Sequence, residues 1–355
     1  MHKIQSILQN YHPSVYSKSL SDICECRTPA RGGYMMECRD CGKTVYHYRS
    51  CGNRNCPVCQ SMKQLTWVES RKSEALNVTY YHIVFTIPSE LNVICIKHPE
   101  KMYDALFKAA SSTLLDLAKD KRRFGAKPGF VCVLHTWGSN LSLHPHLHCL
   151  MPGCGIRDQK LVLPKHGKFM FPVKVMSKLF RGKYLAILRE LGFDFPHSLY
   201  NTDWVVYLKP SPGKGENVIE YLGRYTHRVA ISDSRITAFG DDYVSFNYKD
   251  YRDHDRVKSM TLTSTEFCRR FLMHILPSGF RKIRFYGFLS NRRKDANLKL
   301  LRRLLNSPAL ENAFKGLSHY EILKLVKNID VTVCPCCGSH NVRISPLMDK
   351  FGNLW

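Results

Sequence analysis

The segment Leu143-His-Pro-His-Leu-His-Cys-Leu150 carries histidines 144, 146 and 148 at a spacing of two. Side chains on a strand alternate between faces, so His144, His146 and His148 would project to one side. A row of imidazoles on a rigid strand suits a divalent metal, and two of them leave coordination positions free for phosphate oxygens and water. Further on, Glu220-Tyr-Leu-Gly-Arg-Tyr-Thr-His-Arg228 places Tyr221 and Tyr225 four residues apart, on one face if the segment is helical. A tyrosine hydroxyl titrates near 10 when unperturbed, roughly. A nearby metal and the guanidinium of Arg224 or Arg228 would favour the phenolate. Such a set could attack a DNA phosphodiester, leave the strand end on a tyrosine, and later return it to the freed hydroxyl without an external energy source. Each motif alone also occurs as ordinary packing. It is their conjunction that points to metal-assisted cleavage of single-stranded DNA, with Mg²⁺ or Mn²⁺ as the expected ion. Mg²⁺ usually prefers oxygen ligands, so the imidazoles favour Mn²⁺ or another transition ion in vitro.

The rest of the chain suits a polyanionic partner. Its 355 residues carry 53 Lys and Arg against 29 Asp and Glu, a formal net charge of +24. No apolar run is long enough for a membrane span. The start, Met1-His-Lys-Ile-Gln-Ser6, lacks the apolar stretch of a secretory leader, so a cytoplasmic, nucleoid-associated protein is expected. Fifteen cysteines in that setting indicate metal ligands and reduced thiols rather than disulfides. Seven of them fall between Cys24 and Cys59. Cys38-Arg-Asp-Cys41 and Cys56-Pro-Val-Cys59 are two knuckles whose thiolates are expected to close one tetrahedral Zn²⁺ site. Cys24, Cys26, His47 and Cys51 are either a second site or buried thiols and an ordinary histidine.

Three regions follow. Residues 1–72 read as a zinc-binding, DNA-recognition module, residues 73–290 as the catalytic domain, and residues 291–355 as a basic helical region. In the second, strands are expected at Tyr80–Ile87, Phe130–Thr136, Ser142–Met151, Asp203–Leu208, Tyr243–Tyr248 and Ser259–Leu262. Helices are expected at Glu100–Lys119, Leu179–Gly192 and Asn217–Arg228. Strands interspersed with helices predict an α+β fold, with an antiparallel sheet and helices mainly on one face. The loop Ser211–Glu216 precedes the tyrosine segment. Near the end, Cys334-Pro-Cys-Cys337 forms another knuckle without a second pair after it. It either borrows ligands from Cys336, His340 or the N-terminal module, or is a plain turn with free thiols. Phe280-Arg-Lys-Ile-Arg-Phe-Tyr-Gly-Phe288 interleaves Arg281, Lys282 and Arg284 with aromatics. With Arg292 and Arg293, these suit phosphate contacts and base stacking, although half of the aromatics equally suit a strand core. His82, His135 and His227 are read as structural or DNA-contacting rather than as ligands.

With these motifs together, the chain resembles the rolling-circle insertion-sequence transposases of the IS91 type, within the HUH single-strand endonucleases. The likeness rests on Cys26–Gly33, Ser50–Gln60, Tyr81–Pro88, Leu134–Gly138, His144–Gly153, Tyr221–Ser232 and Phe280–Arg293, spread over almost the whole length. It implies an HUH-type nuclease domain and an N-terminal zinc domain that helps to recognise element ends. It also implies that His146 and His148 are the metal pair and that Tyr221 and Tyr225 are nucleophiles acting through a 5′-phosphotyrosine, with Tyr225 the first choice. One departure is the additional Cys24 just before Cys26. The expected partner is single-stranded element-end DNA, and a homodimer is left open. Two rival readings are a plasmid replication initiator or relaxase of the same chemistry, and a noncatalytic zinc DNA-binding regulator.

Overall fold

The computed structural model describes residues 2–11, 18–165, 170–211, 219–220, 223, 230–250 and 253–354. Helices α1 (Lys3–Gln9) and α2 (Lys18–Glu25) lead into a hairpin, β1 (Gly33–Cys38) and β2 (Thr44–Tyr48). Helix α3 (Pro57–Ser73) follows, with Pro57 in its first turn and Arg71 and Lys72 in its last, each where the helix backbone favours it. Strand β3 (Tyr80–Thr86) is followed by α4 (Asn92–Lys97), α5 (Pro99–Ala118), β4 (Lys127–Trp137) and β5 (Leu143–Pro152). Then come β6 (Gly155–Arg157), β7 (Lys160–Val162), α6 (Val173–Glu190) and β8 (Val206–Pro210). The remainder holds β9 (Ile236–Phe239), β10 (Tyr243–Asp250), β11 (Arg256–Thr263), α7 (Ser264–Leu272) and β12 (Ile283–Gly287). It closes with α8 (Lys294–Leu304), α9 (His319–Lys327) and β13 (Val342–Leu347).

The architecture is α+β, as the patterning predicts. The main sheet runs β7-β6-β4-β5-β3-β8, with β12 also paired to β4, and every pairing is antiparallel. Alternation along the strands sorts residues onto two faces. One face carries Ile83, Phe85, Cys132, Leu134, Leu147 and Cys149, and α5 and α6 pack onto it to form the principal core. The other face carries Tyr80, Val131, Val133 and Leu150, covered by Ala75 and by Val68 of α3. Register places His148 opposite Val133 and Val84, and His146 opposite His135 and Thr86. The histidines therefore stand on this second face, beyond the end of its apolar patch.

The basic stretch 280–288 is largely structural. Phe280 and Phe288 are buried, Tyr286 stacks on Phe130, and β12 zips onto β4 from Ile283↔Val133 to Gly287↔Gly129. A smaller sheet, β11-β10-β9, shares a core with α7, α1, α2 and the Cys26, Cys56 and Cys59 thiols.

The C-terminal region is helical only in part. After α8 and α9 the chain returns to the N-terminal hairpin, where β13 adds to β1 from Gly33↔Leu347 to Cys38↔Val342. The strand Val342–Leu347 is short and none of its residues is fully buried, so no periodic apolar signal announces it.

Candidate functional site

The site is assembled on β4 and β5. Imidazole nitrogens of His135, His146 and His148 all lie within 4.8 Å of one another. Nε2 of His146 and Nε2 of His148 are 3.1 Å apart. That separation matches two nitrogens at about 2.0–2.1 Å from one ion in a tetrahedral or tighter arrangement, so the donor set fits a metal. The second nitrogen of each ring is held. His146 Nδ1 donates to the His144 carbonyl at 2.6 Å, and His148 Nδ1 lies 2.8 Å from His82 Nε2. Both rings thus turn Nε2 towards the cluster, the arrangement in which an outer partner fixes tautomer and aim. His82 also lies parallel to His148, with ring centroids 5.1 Å apart. His135 stacks on Trp137 and tilts against His148 at 4.4 Å. The β4–β5 register shifts between His135 and Trp137, a bulge beside the cluster.

Burial sets the protonation state. Desolvation pushes His146 and His82 down to about 4 and lowers His148 well below the usual imidazole range. Neutral imidazoles with available lone pairs are the form that binds metal. Two histidines stand in other places than the sequence reading gave them. His144 is exposed and stands outside the cluster; it contributes its backbone carbonyl to His146 instead of a ligand nitrogen. His135, read from the sequence as structural or DNA-contacting, takes the third place. Its only sequence signal is its parity with Val131 and Val133 on a strand whose pairing to β5 the sequence does not disclose.

Tyr221, Tyr225, Arg224, Arg228 and His227 lie outside the described residues. The described neighbours in that segment are Ile219, Glu220 and Gly223, all helical. Ile219 is buried among Val131, Val133 and Leu150, on the face of the sheet that bears the histidines. Glu220 pairs with Lys72 of α3. Gly223 lies so close to α3 that an added Cβ would meet Val68 Cγ2 at 2.0 Å.

The cysteines divide differently from the expected single site. Cys56 and Cys59 gather with Cys26 and Cys51, whereas Cys38 and Cys41 gather with Cys334 and Cys337. In the first group Cys59 Sγ lies 3.4 Å from Cys26 Sγ and 3.6 Å from Cys51 Sγ, and the Cys51 N–H donates to Cys26 Sγ. Cys56 occupies the N-cap position of α3 and Cys59 sits in its first turn, where the helix field favours thiolates. Four sulfurs at such spacings suit Zn²⁺, whose tetrahedral S···S edge is about 3.8 Å. Cys24 and His47 belong to neither group; burial pushes the Cys24 thiol up to about 11, and His47 stacks on Tyr34.

Among the basic residues singled out, Arg281, Arg292 and Arg293 are exposed. Arg284 instead pairs with Asp104 and lies over the Phe107 ring at 4.1 Å. Burial lowers Lys282 to about 8. Arg284 is thus tied into the fold rather than displayed for phosphate, and Lys282 is half-buried.

Comparison with known proteins places the chain in a family. A family described as "Transposase zinc-binding domain" matches residues 2–87, and one described as "Putative transposase" matches residues 129–296. The chain is 40% identical over 337 residues to the protein named "Putative transposase y4qJ" of Sinorhizobium fredii, covering 88% of this chain and 84% of that one. The chain belongs to the IS91-type transposases. The transposase is also 25% identical over 351 residues to the transposase for insertion sequence element IS801 of Pseudomonas savastanoi pv. phaseolicola, covering 92% of this chain and 82% of that relative. No solved structure matches it. As a transposase it is a DNA-cleaving, DNA-binding enzyme with a zinc-binding domain. Among the described residues no helix is long and apolar enough to cross a membrane.

Proposed function

We propose that this transposase nicks and rejoins single-stranded DNA at insertion-sequence ends, through a covalent 5′-phosphotyrosine, in transposition of the rolling-circle type. The observation that carries the reading is the three-imidazole cluster on the sheet face that also receives Ile219, two residues before Tyr221. His135, His146 and His148 would hold Mg²⁺ or Mn²⁺, which when bound neutralises phosphate charge and polarises the phosphorus. The chain's own part is then positional and nucleophilic. His82 and the His144 carbonyl hold two of the rings in aim. The phenolic oxygen of Tyr225 attacks phosphorus, a new O–P bond forms, and the bond to the 3′ oxygen breaks. The phenolic proton is lost on attack and the released 3′ oxygen takes one up. Tyr221 serves a second transfer, and the freed hydroxyl reverses the linkage by attacking the phosphotyrosine. Exposed Arg281, Arg292 and Arg293 supply sequence-independent backbone contacts.

On this reading residues 1–72, 73–290 and 291–355 are three functional regions: end recognition, catalysis, and a basic region. The test is incubation with single-stranded element-end DNA and Mn²⁺, followed by peptide mapping of the adduct. Tyr225→Phe keeps the ring but removes the attacking oxygen, so adduct and cleavage should vanish. Tyr221→Phe should leave the first cleavage and impair a later transfer. DNA mapped only to Tyr221, or to neither tyrosine, overturns the assignment. Normal cleavage by His146→Ala and His148→Ala overturns the metal role.

A further inference from the structure

Cys334 and Cys337 lie outside both segments matched by the transposase families, 2–87 and 129–296. Their position is nevertheless specific. Cys337 Sγ is 3.6 Å from Cys38 Sγ, and Cys334 Sγ is 3.6 Å from Cys41 Sγ, across 299 and 293 residues of sequence. All four sulfurs lie within 4.8 Å of one another.

The two halves are built alike. Cys38-Arg-Asp-Cys41-Gly42 and Cys334-Pro-Cys-Cys337-Gly338 each end on a left-handed glycine, at φ 70° and 73°. In each, the glycine N–H donates to the carbonyl of the first cysteine: Gly42 to Cys38 at 3.0 Å and Gly338 to Cys334 at 2.9 Å. In each, the N–H of that first cysteine donates to the residue after the glycine, Cys38 to Lys43 and Cys334 to Ser339, both at 2.9 Å. Two identical tight turns thus present paired thiols to a common centre. The sulfur spacing of 3.6 Å is far beyond the 2.05 Å or so of a disulfide. It is close to the edge of about 3.8 Å expected for thiolates around one tetrahedral Zn²⁺.

We propose that Cys38, Cys41, Cys334 and Cys337 bind a second structural Zn²⁺ that clasps the C-terminal end of the chain to the N-terminal zinc module. The surroundings support a clasp. Asn341 Nδ2 donates to Asp40 at 2.7 Å, the Arg39 N–H donates to the Asn341 carbonyl at 2.9 Å, and β13 continues the hairpin sheet. Beyond the strand, the Lys350 N–H reaches the Ala30 carbonyl and its ammonium pairs with Glu25. A strand added to the edge of a two-stranded hairpin buries little apolar surface, so metal binding energy is the natural source of its stability. The module that the sequence places entirely at the N-terminus is then completed from the opposite end of the chain.

The full-length protein tests this directly. In a His146→Ala background, which removes the imidazole cluster from the count, metal analysis of the reduced protein should give about two zinc ions per chain. Adding Cys334→Ser and Cys337→Ser should leave about one. Thiol alkylation provides an internal control, because Cys336 and Cys337 are adjacent and both exposed, yet only Cys337 belongs to the cluster. Cys336 should label at once, and Cys337 only after chelation. One zinc per chain with Cys337 labelling as fast as Cys336 overturns the proposal. So does a peptide map showing Cys38–Cys337 or Cys41–Cys334 disulfides. If the double variant fails to fold, the labelling and the count on the His146→Ala parent still decide.

Discussion

His82 gives the sharpest handle on the imidazole cluster, because it touches the proposed metal ligands without belonging to them. Its Nε2 lies 2.8 Å from His148 Nδ1, and the two rings are parallel to within 9°. His82→Phe keeps a ring of similar size for the stack but removes the nitrogen that orients His148. Loss of such an outer-sphere partner commonly weakens metal binding by 10–100-fold, or about 1.4–2.7 kcal/mol. The expected result is therefore a displaced metal requirement rather than a dead enzyme. In single-strand nicking titrated with Mn²⁺, the midpoint should rise by a factor of about 10–100 while the rate at saturating metal recovers most of its original value. Binding of the same oligonucleotide should be unchanged, since its affinity comes mainly from Lys and Arg contacts with phosphate. An unmoved midpoint would refute the positioning role. A loss of cleavage that saturating metal cannot restore would instead mean that His82 acts on the DNA itself.

Three further outcomes are expected. His274 is buried; its Nε2 donates to the Leu141 carbonyl and its Nδ1 accepts from Thr136, both at 3.2 Å, and burial holds it down at about 4. The unfolded chain binds that proton more readily, so stability present above pH 6.5 or so is lost as pH falls towards 4. The loss is about 2 kcal/mol by pH 5, and His274→Gln should shrink the difference in denaturant stability between pH 7 and pH 5 by about that amount. Gly223→Ala drives a methyl into Val68 and should cost about 1–3 kcal/mol in the docking of the tyrosine segment, seen as slower nicking. Val68→Ala in the same chain should restore much of the rate, and no rescue would mean that the contact does not position the segment. Replacing exposed Arg292 and Arg293 by Gln should flatten the dependence of DNA affinity on salt by up to about two counterions. Arg284→Gln, already paired with Asp104, should leave that slope unchanged and lower thermal stability instead.

Short-range pattern determined a good deal of this protein. The β-branched and aromatic run Tyr80–Ile87 and the segment Ser142–Met151 read as strands, and strands form there, over Tyr80–Thr86 and Leu143–Pro152. Strand parity puts His146 and His148 on one side without reference to anything else in the chain. Knuckle spacing likewise marks Cys38–Cys41 and Cys56–Cys59 as candidate ligand pairs, because each pair needs only its own turn, and leaves Cys334–Cys337 open between a ligand pair and a plain turn. Partnership between such units is a different matter. Which knuckle meets which depends on β13 adding to β1, a pairing made across the whole length of the chain and carried by backbone hydrogen bonds that leave no mark in side-chain type. His135 joins His146 only through the register of β4 against β5, and a shift of one residue would have turned it into the opposite core. Likewise Arg284 reads as a free cation until the fold sets Asp104 and Phe107 beside it. Residue types and local periodicity therefore supplied the candidate groups, and long-range register decided which of them gather together.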